Sequence, residues 1–103
     1  MPKAGHIGNS EAKICADAVL RSLNGLSPDP APKTNSACYS PVSSNTATWL
    51  TIVYEYNSTT GKMQPVSVPG LAGGYPAASS GASTKNYNNM FNWTGNLFSD
   101  TFA

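Results

Sequence analysis

Pro28, Pro30 and Pro32 stand at alternate positions in the first third of the chain, and they fix where regular structure has to stop. Each proline locks its own φ, lacks an amide donor and pushes the residue before it out of the helical region. A segment built this way is an extended linker. The secondary structure must therefore form on either side of it, and the two sides carry different patterns.

Upstream, Met1 to Gly8 is punctuated by glycine and reads as a turn. Asn9 or Ser10 is expected to cap a helix running to about Asn24, with Glu11 in its first turn near the positive end of the dipole. Ile14, Cys15, Ala18, Val19 and Leu23 form an apolar stripe, and Asn24-Gly25 is a stop signal. His6 falls in the expected turn and reads as a solvent-facing residue.

Downstream, Thr46 to Tyr56 is rich in β-branched and aromatic residues and predicts a strand. Its two alternating sets, Trp49-Thr51-Val53-Glu55 and Leu50-Ile52-Tyr54-Tyr56, make one face more apolar than the other. Asn57 to Gly61 predicts a hairpin loop and Lys62 to Val68 a returning strand, with Pro65 placing that strand at a sheet edge. A short strand around Ala37 to Val42 pairs on the other side. Residues 69–81 read as loop. From Ser83 or Thr84 a second helix follows, with Tyr87, Met90, Phe91, Thr94, Leu97, Phe98, Thr101 and Phe102 at helical spacing. The expected fold is α+β: an N-terminal helix, a small antiparallel sheet of about three strands and a C-terminal amphipathic helix. The last helix carries more aromatic area than such a sheet easily covers. Its stripe therefore either folds onto its own sheet or serves self-association.

At 103 residues the chain has room for one modest core. Charged residues make up only 11%, where about 25% is usual, so the surface is polar but nearly neutral. A net charge of +1, with the six lysines and arginines scattered singly, argues against nucleic acid as a partner. No apolar run reaches the roughly 18 residues of a membrane span, and the N-terminus lacks a basic-then-apolar export signal. One histidine and two cysteines leave a tetrahedral zinc site short of ligands, and they offer no local pattern for a Ser-His-Asp hydrolase. There is no G-x-G-x-x-G, so the chain has no dinucleotide-binding βαβ unit of its own.

Three features are left with chemical content. Met1-Pro2-Lys3-Ala4-Gly5 precedes a helix N-terminus, whose unpaired N–H groups suit a developing negative charge. Cys15 lies in an apolar helical stripe, where cysteine acts as a small buried hydrophobe. Cys38, in Asn35-Ser36-Ala37-Cys38-Tyr39-Ser40, follows directly on the proline linker, and its reactivity depends on exposure and local charge.

Taken in order, these motifs resemble the C-terminal segment of the flavoprotein subunit of flavocytochrome c sulfide dehydrogenase. Residues Met1 to Ser10 and the Lys13-x-Cys15-Ala16 helix look like the last flavin-binding helix of that family. Cys38-Tyr39-Ser40 corresponds to its Cys-Tyr-Ser motif. The aromatic hairpin, the Val68-Pro69-Gly70 loop and the helix ending in Asp100-Thr101-Phe102 follow at matching distances. The resemblance implies a glutathione-reductase-like flavoprotein that binds FAD. There, sulfide attacks a redox-active disulfide beside the flavin, and electrons pass to a c-type cytochrome subunit in the periplasm. It implies that Cys38 is one cysteine of that disulfide, with its partner outside this chain. Pro2, Lys3, Ala4 and Gly5 would form the turn that approaches the pyrimidine side of the flavin. Residues 1–25 would then be the flavin-facing turn and helix, and residues 26–103 the C-terminal α+β domain. The remainder of the flavoprotein, with both nucleotide-binding domains, is a further expected partner, and without it the segment is expected to hold FAD weakly and to be inactive. The rival from another class is a stand-alone interaction module that docks through its aromatic helix. A sulfide:quinone oxidoreductase relationship is disfavoured, because the last helix has no lysine or arginine after Lys85 to flank a membrane-docking face.

Overall fold

The computed structural model describes residues 4–67 and 81–102. Along the chain they form α1 (Gly5–Leu23), β1 (Lys33–Pro41), β2 (Ala47–Asn57), β3 (Lys62–Pro65) and α2 (Thr84–Phe102). The three strands make one antiparallel sheet in the order β1-β2-β3, the α+β architecture expected from the sequence. Two compact units share this sheet. One comprises the described parts of residues 1–36 and 52–72, the other those of 37–51 and 73–103, so β1 and β2 contribute to both.

In the first unit, α1 begins at Gly5 rather than at the expected Asn9 or Ser10. Gly5 and Gly8 are poor helix formers, but Ile7 is 2% exposed, and burying it outweighs their propensity cost of roughly 1 kcal/mol each. His6 is thereby helical, not a turn residue, and Glu11 lies beyond the first turn. The Ser10 hydroxyl does not cap the helix. It donates to Asn35 Oδ1 (3.2 Å) and accepts from the Asn35 amide (3.3 Å), which ties α1 to β1. The C-terminus matches the expectation. Leu26 N–H bonds to Arg21 O and Gly25 N–H to Ser22 O, with Gly25 at φ +69°, the paired closure that a left-handed residue after the helix permits.

The expected stripe on α1 is only half right. Ile14 and Ala18 are partly covered, but Cys15, Val19 and Leu23 are exposed. Cys15 is thus corrected from a buried hydrophobe to a surface thiol. The helix turns Ile7, Ser10, Ile14 and Ala18 inward, and positions 15, 19 and 23 form a neighbouring line about 100° away. Ile7 shares this unit's core with Tyr54 and Val66.

The β2–β3 hairpin is built as the sequence predicts. Asn57 Oδ1 accepts from the Thr59 and Thr60 amides, Gly61 adopts φ +65°, and the register sets Tyr56 opposite Met63 and Tyr54 opposite Pro65. Pro65 lies on the edge strand, where a missing donor costs no ladder bond. The strand ends at Pro65, although Val66 N–H still reaches Val53 O (3.0 Å); Val68 and the expected loop up to Ser80 lie outside the described residues. On β2 the expected two-face contrast is weak. Tyr54 is buried, but Leu50 and Tyr56 from the same set are exposed.

Strand β1 is longer than expected, because Lys33 to Ser36 also pair. Within that extension Thr34 is 2% exposed, and its Oγ1 has no hydrogen-bond partner among the described residues. A buried hydroxyl left in this state costs about 1–3 kcal/mol. Thr34→Val keeps the shape and the β-branching, so it is expected to stabilise the chain by about 1 kcal/mol. A urea titration checks this, and a lower midpoint would show that the hydroxyl has a partner after all.

The second unit is organised by aromatic rings. Tyr39 on β1 stacks with Trp49 on β2 (centroids 6.1 Å, 22° between planes) and meets Trp93 on α2 at 5.4 Å. Ser83 begins α2 by accepting from the Asn86 amide (3.0 Å), and it bridges to Ala47 through two backbone hydrogen bonds of 3.1 Å. Asn86 is buried and donates to Gly81 O (2.8 Å).

Candidate functional site

Cys38 occupies the outer part of β1, and its thiol is free and exposed. Because strand side chains alternate, it leaves β1 on the face opposite Tyr39, away from the ring cluster that the tyrosine joins. Among the described residues the thiol makes one hydrogen-bond contact, a long one, Sγ to Tyr39 O at 4.0 Å. A thiol so placed can reach another sulfur, and access is one of the terms that governs thiol–disulfide exchange.

The other expected site residues lie at the start of α1. Ala4 is the N-cap, in extended conformation (φ −143°, ψ 155°), and no side chain caps the helix there. Gly5 opens the helix, and a Cβ built on Gly5 or Gly8 would meet no atom within 4 Å. Among the described residues the first turn is therefore bare on the glycine side, with its backbone N–H end uncapped by side chains, a setting that favours a partial or full negative charge. Pro2 and Lys3 lie outside the described residues. Ala4 and Gly5 belong to the first unit and Cys38 to the second. Cys15 is also a free, exposed thiol, so the two cysteines are unpaired.

Two grooves were not foreseen from the sequence. In the first unit a groove of about 420 Å³ runs between α1 and the proline linker, lined among others by Lys13, Asp17, Asp29 and Lys33. Its charges are of both signs, and Asp17 is already held by Arg21 at 2.7 Å. In the second unit a groove of about 500 Å³ is lined by Tyr39, Trp49, Ser83, Lys85, Asn86 and Asn89. Aromatic faces beside amides and one cation suit a planar polar molecule. Of this groove only the place of Trp49 on an expected strand and the start of α2 near Ser83 were legible; that α2 brings Asn86 and Asn89 beside the rings was not.

Among the described residues no three His, Cys, Asp or Glu side chains gather as a metal site, and no helix is long and apolar enough to cross a membrane.

Comparison with curated proteins gives no match. Comparison with protein families does. The family described as flavocytochrome c sulphide dehydrogenase, flavin-binding, matches residues 30–102, a stretch that holds the whole sheet, Cys38 and α2 and leaves α1 outside. With most of its length matched in this way, the chain belongs to the flavin-binding family of flavocytochrome c sulphide dehydrogenase.

Proposed function

We propose that the chain is the C-terminal flavin-binding segment of a sulfide-oxidising flavoprotein, with FAD as its flavin, a c-type cytochrome as electron acceptor and the periplasm as its compartment. Membership of the family over residues 30–102 carries this reading. Within it, residues 1–25 form the flavin-facing turn and helix, and residues 26–103 the C-terminal α+β domain.

The residues present fit a flavin. Ala4 and Gly5, with Pro2 and Lys3 before them, would hold its pyrimidine side against the start of α1, where Gly5 and Gly8 leave the first turn bare. Bound there, FAD supplies a two-electron acceptor for a reduced thiol pair. The N–H end of α1 favours negative charge at that edge, as helix N-termini do.

Cys38 supplies one sulfur of a disulfide whose other cysteine comes from the remainder of the flavoprotein. Hydrosulfide attacks one sulfur of that bridge. A new S–S bond forms as the old one breaks, leaving a persulfide on the attacked cysteine and the displaced electron pair on the other sulfur as thiolate. The exposed position of Cys38 on β1 leaves its sulfur open both to a partner cysteine and to a small nucleophile.

Two measurements test the reading. The 103-residue chain, titrated with FAD, is expected to show no stoichiometric yellow complex, because the pyrophosphate-binding βαβ units are not in its sequence. The complete flavoprotein is expected to bleach its flavin absorbance anaerobically on addition of sulfide. A flavin spectrum unmoved by sulfide would overturn the proposed activity.

A further inference from the structure

Helix α2 has two lines of large side chains, and among the described residues only one is covered within its own unit. Asn86, Trp93 and Leu97 are buried or partly covered. About 120° round the helix from them run Tyr87, Phe91, Phe98 and Phe102. Of these Phe91 is 58% exposed, Phe98 57% and Phe102 79%. The rings form two pairs, Tyr87–Phe91 at 5.2 Å and Phe98–Phe102 at 6.0 Å, each spanning one turn.

The spacing of this second line is self-complementary. Positions 87 and 102 lie equally far from a point between Thr94 and Gly95, and so do 91 and 98. A two-fold interface needs that arrangement, since residue i must meet j where j meets i. We propose that α2 is a self-association helix, pairing antiparallel with α2 of a second copy about Thr94–Gly95. Phe91 of each copy then meets Phe98 of the other about 5 Å along the axis from the centre, and Tyr87 meets Phe102 about 11 Å out.

The centre of the line supports the same occupant. Thr94 and Gly95 flank the ring line at roughly 50° on either side and are the small residues at the crossing point. A Cβ on Gly95 would meet no atom within 4 Å, so nothing among the described residues requires glycine there, although glycine in a helix costs roughly 1 kcal/mol. Close approach of a second helix gives it a use. The helix carries only Lys85 and Asp100 as charged residues, and both lie on the far side from the rings, so no charge is desolvated by pairing. The three exposed phenylalanines supply at most on the order of 800 Å² across a pair, below the roughly 1,200 Å² of stable specific interfaces and in the range of transient ones, so the pair is weak, with Kd on the order of 10–100 µM.

The 103-residue chain itself gives the test, by sedimentation equilibrium across a concentration series. The expected mass rises from 10.8 kDa towards twice that value. Phe98→Glu, at an exposed position, is expected to weaken association by on the order of 30-fold or more while leaving thermal unfolding of the monomer unchanged. In a background of Cys15→Ser and Cys38→Ser, Thr94→Cys, which leaves Gly95 in place at the crossing point, is expected to cross-link a dimer under mild oxidation and Tyr87→Cys is not. A strictly monomeric chain at several times the expected Kd overturns the proposal. So does a dimer indifferent to Phe98→Glu, and so does cross-linking through Tyr87→Cys, which would mean parallel pairing.

Discussion

Cys38→Ser in the complete flavoprotein is expected to reduce sulfide-dependent cytochrome reduction to background while the protein keeps its flavin. Serine oxygen has nearly the same reach as the thiol sulfur but can neither form the disulfide nor carry a persulfide, so the step that takes up sulfide is lost. The side chain is exposed and makes one long hydrogen-bond contact among the described residues, to Tyr39 O, so the fold has little to lose. Flavin absorbance and unfolding midpoint should both match the wild type, and together they separate a chemical loss from a structural one. Cys15→Ala is the control. Cys15 lies on the exposed line of α1, and a substitution there is expected to change stability by about 0.5 kcal/mol or less and to leave turnover intact. Loss of turnover in Cys15→Ala, with Cys38→Ser active, would mean that the two roles had been assigned the wrong way round.

The parts of this fold that were legible in the sequence are those written in local chemistry. Asn24-Gly25, the three-proline linker and the Asn57 to Gly61 hairpin were each announced by residues whose own backbone preferences make the turn, and each is found within a residue or two of its expected place. Helix α2 begins at Thr84, one of the two expected starts, and Ser83 caps it. What local chemistry could not show was which side of each helix meets the sheet. On α1 the rank of Ile14, Cys15, Ala18, Val19 and Leu23 as one stripe overlooked Ile7, which lies inside the Met1 to Gly8 segment that read as a turn. That residue is the most buried of the helix and carries the start of α1 back to Gly5. On α2 a single broad stripe proved to be two lines, one used and one bare, because the half of the sheet in its unit covers only one face of a helix. The site divides in the same way. Cys38 was singled out through the Cys-Tyr-Ser motif, and the structure adds that its thiol is exposed, whereas the groove beside Tyr39 and Trp49 needed the position of Asn86 and Asn89.

Ile7→Ala is expected to cost about 2–5 kcal/mol, a large share of the roughly 5–15 kcal/mol that holds a domain of ordinary stability together. Few side chains in the described residues are buried as fully, and the core of the first unit is small: Ile7, Tyr54 and Val66 make up its buried apolar part. Removing three carbons there leaves a cavity that neighbouring groups cannot easily fill, and it removes the contact that offsets two glycines in the first turn of α1. That turn is also where Ala4 and Gly5 meet the flavin in the proposed function. The substitution is therefore expected to fray residues 4–8 and to loosen FAD in the complete flavoprotein as well as lower the urea midpoint. Val19→Ala supplies the comparison on the same helix. Val19 is 53% exposed, and its truncation is expected to cost about 0.5 kcal/mol or less. Equal losses from the two would show that the bare line of α1 is covered in solution. A small loss from Ile7→Ala alone would mean that α1 does not depend on Ile7 for its first turn, and that the helix begins nearer Asn9 as its local chemistry suggests.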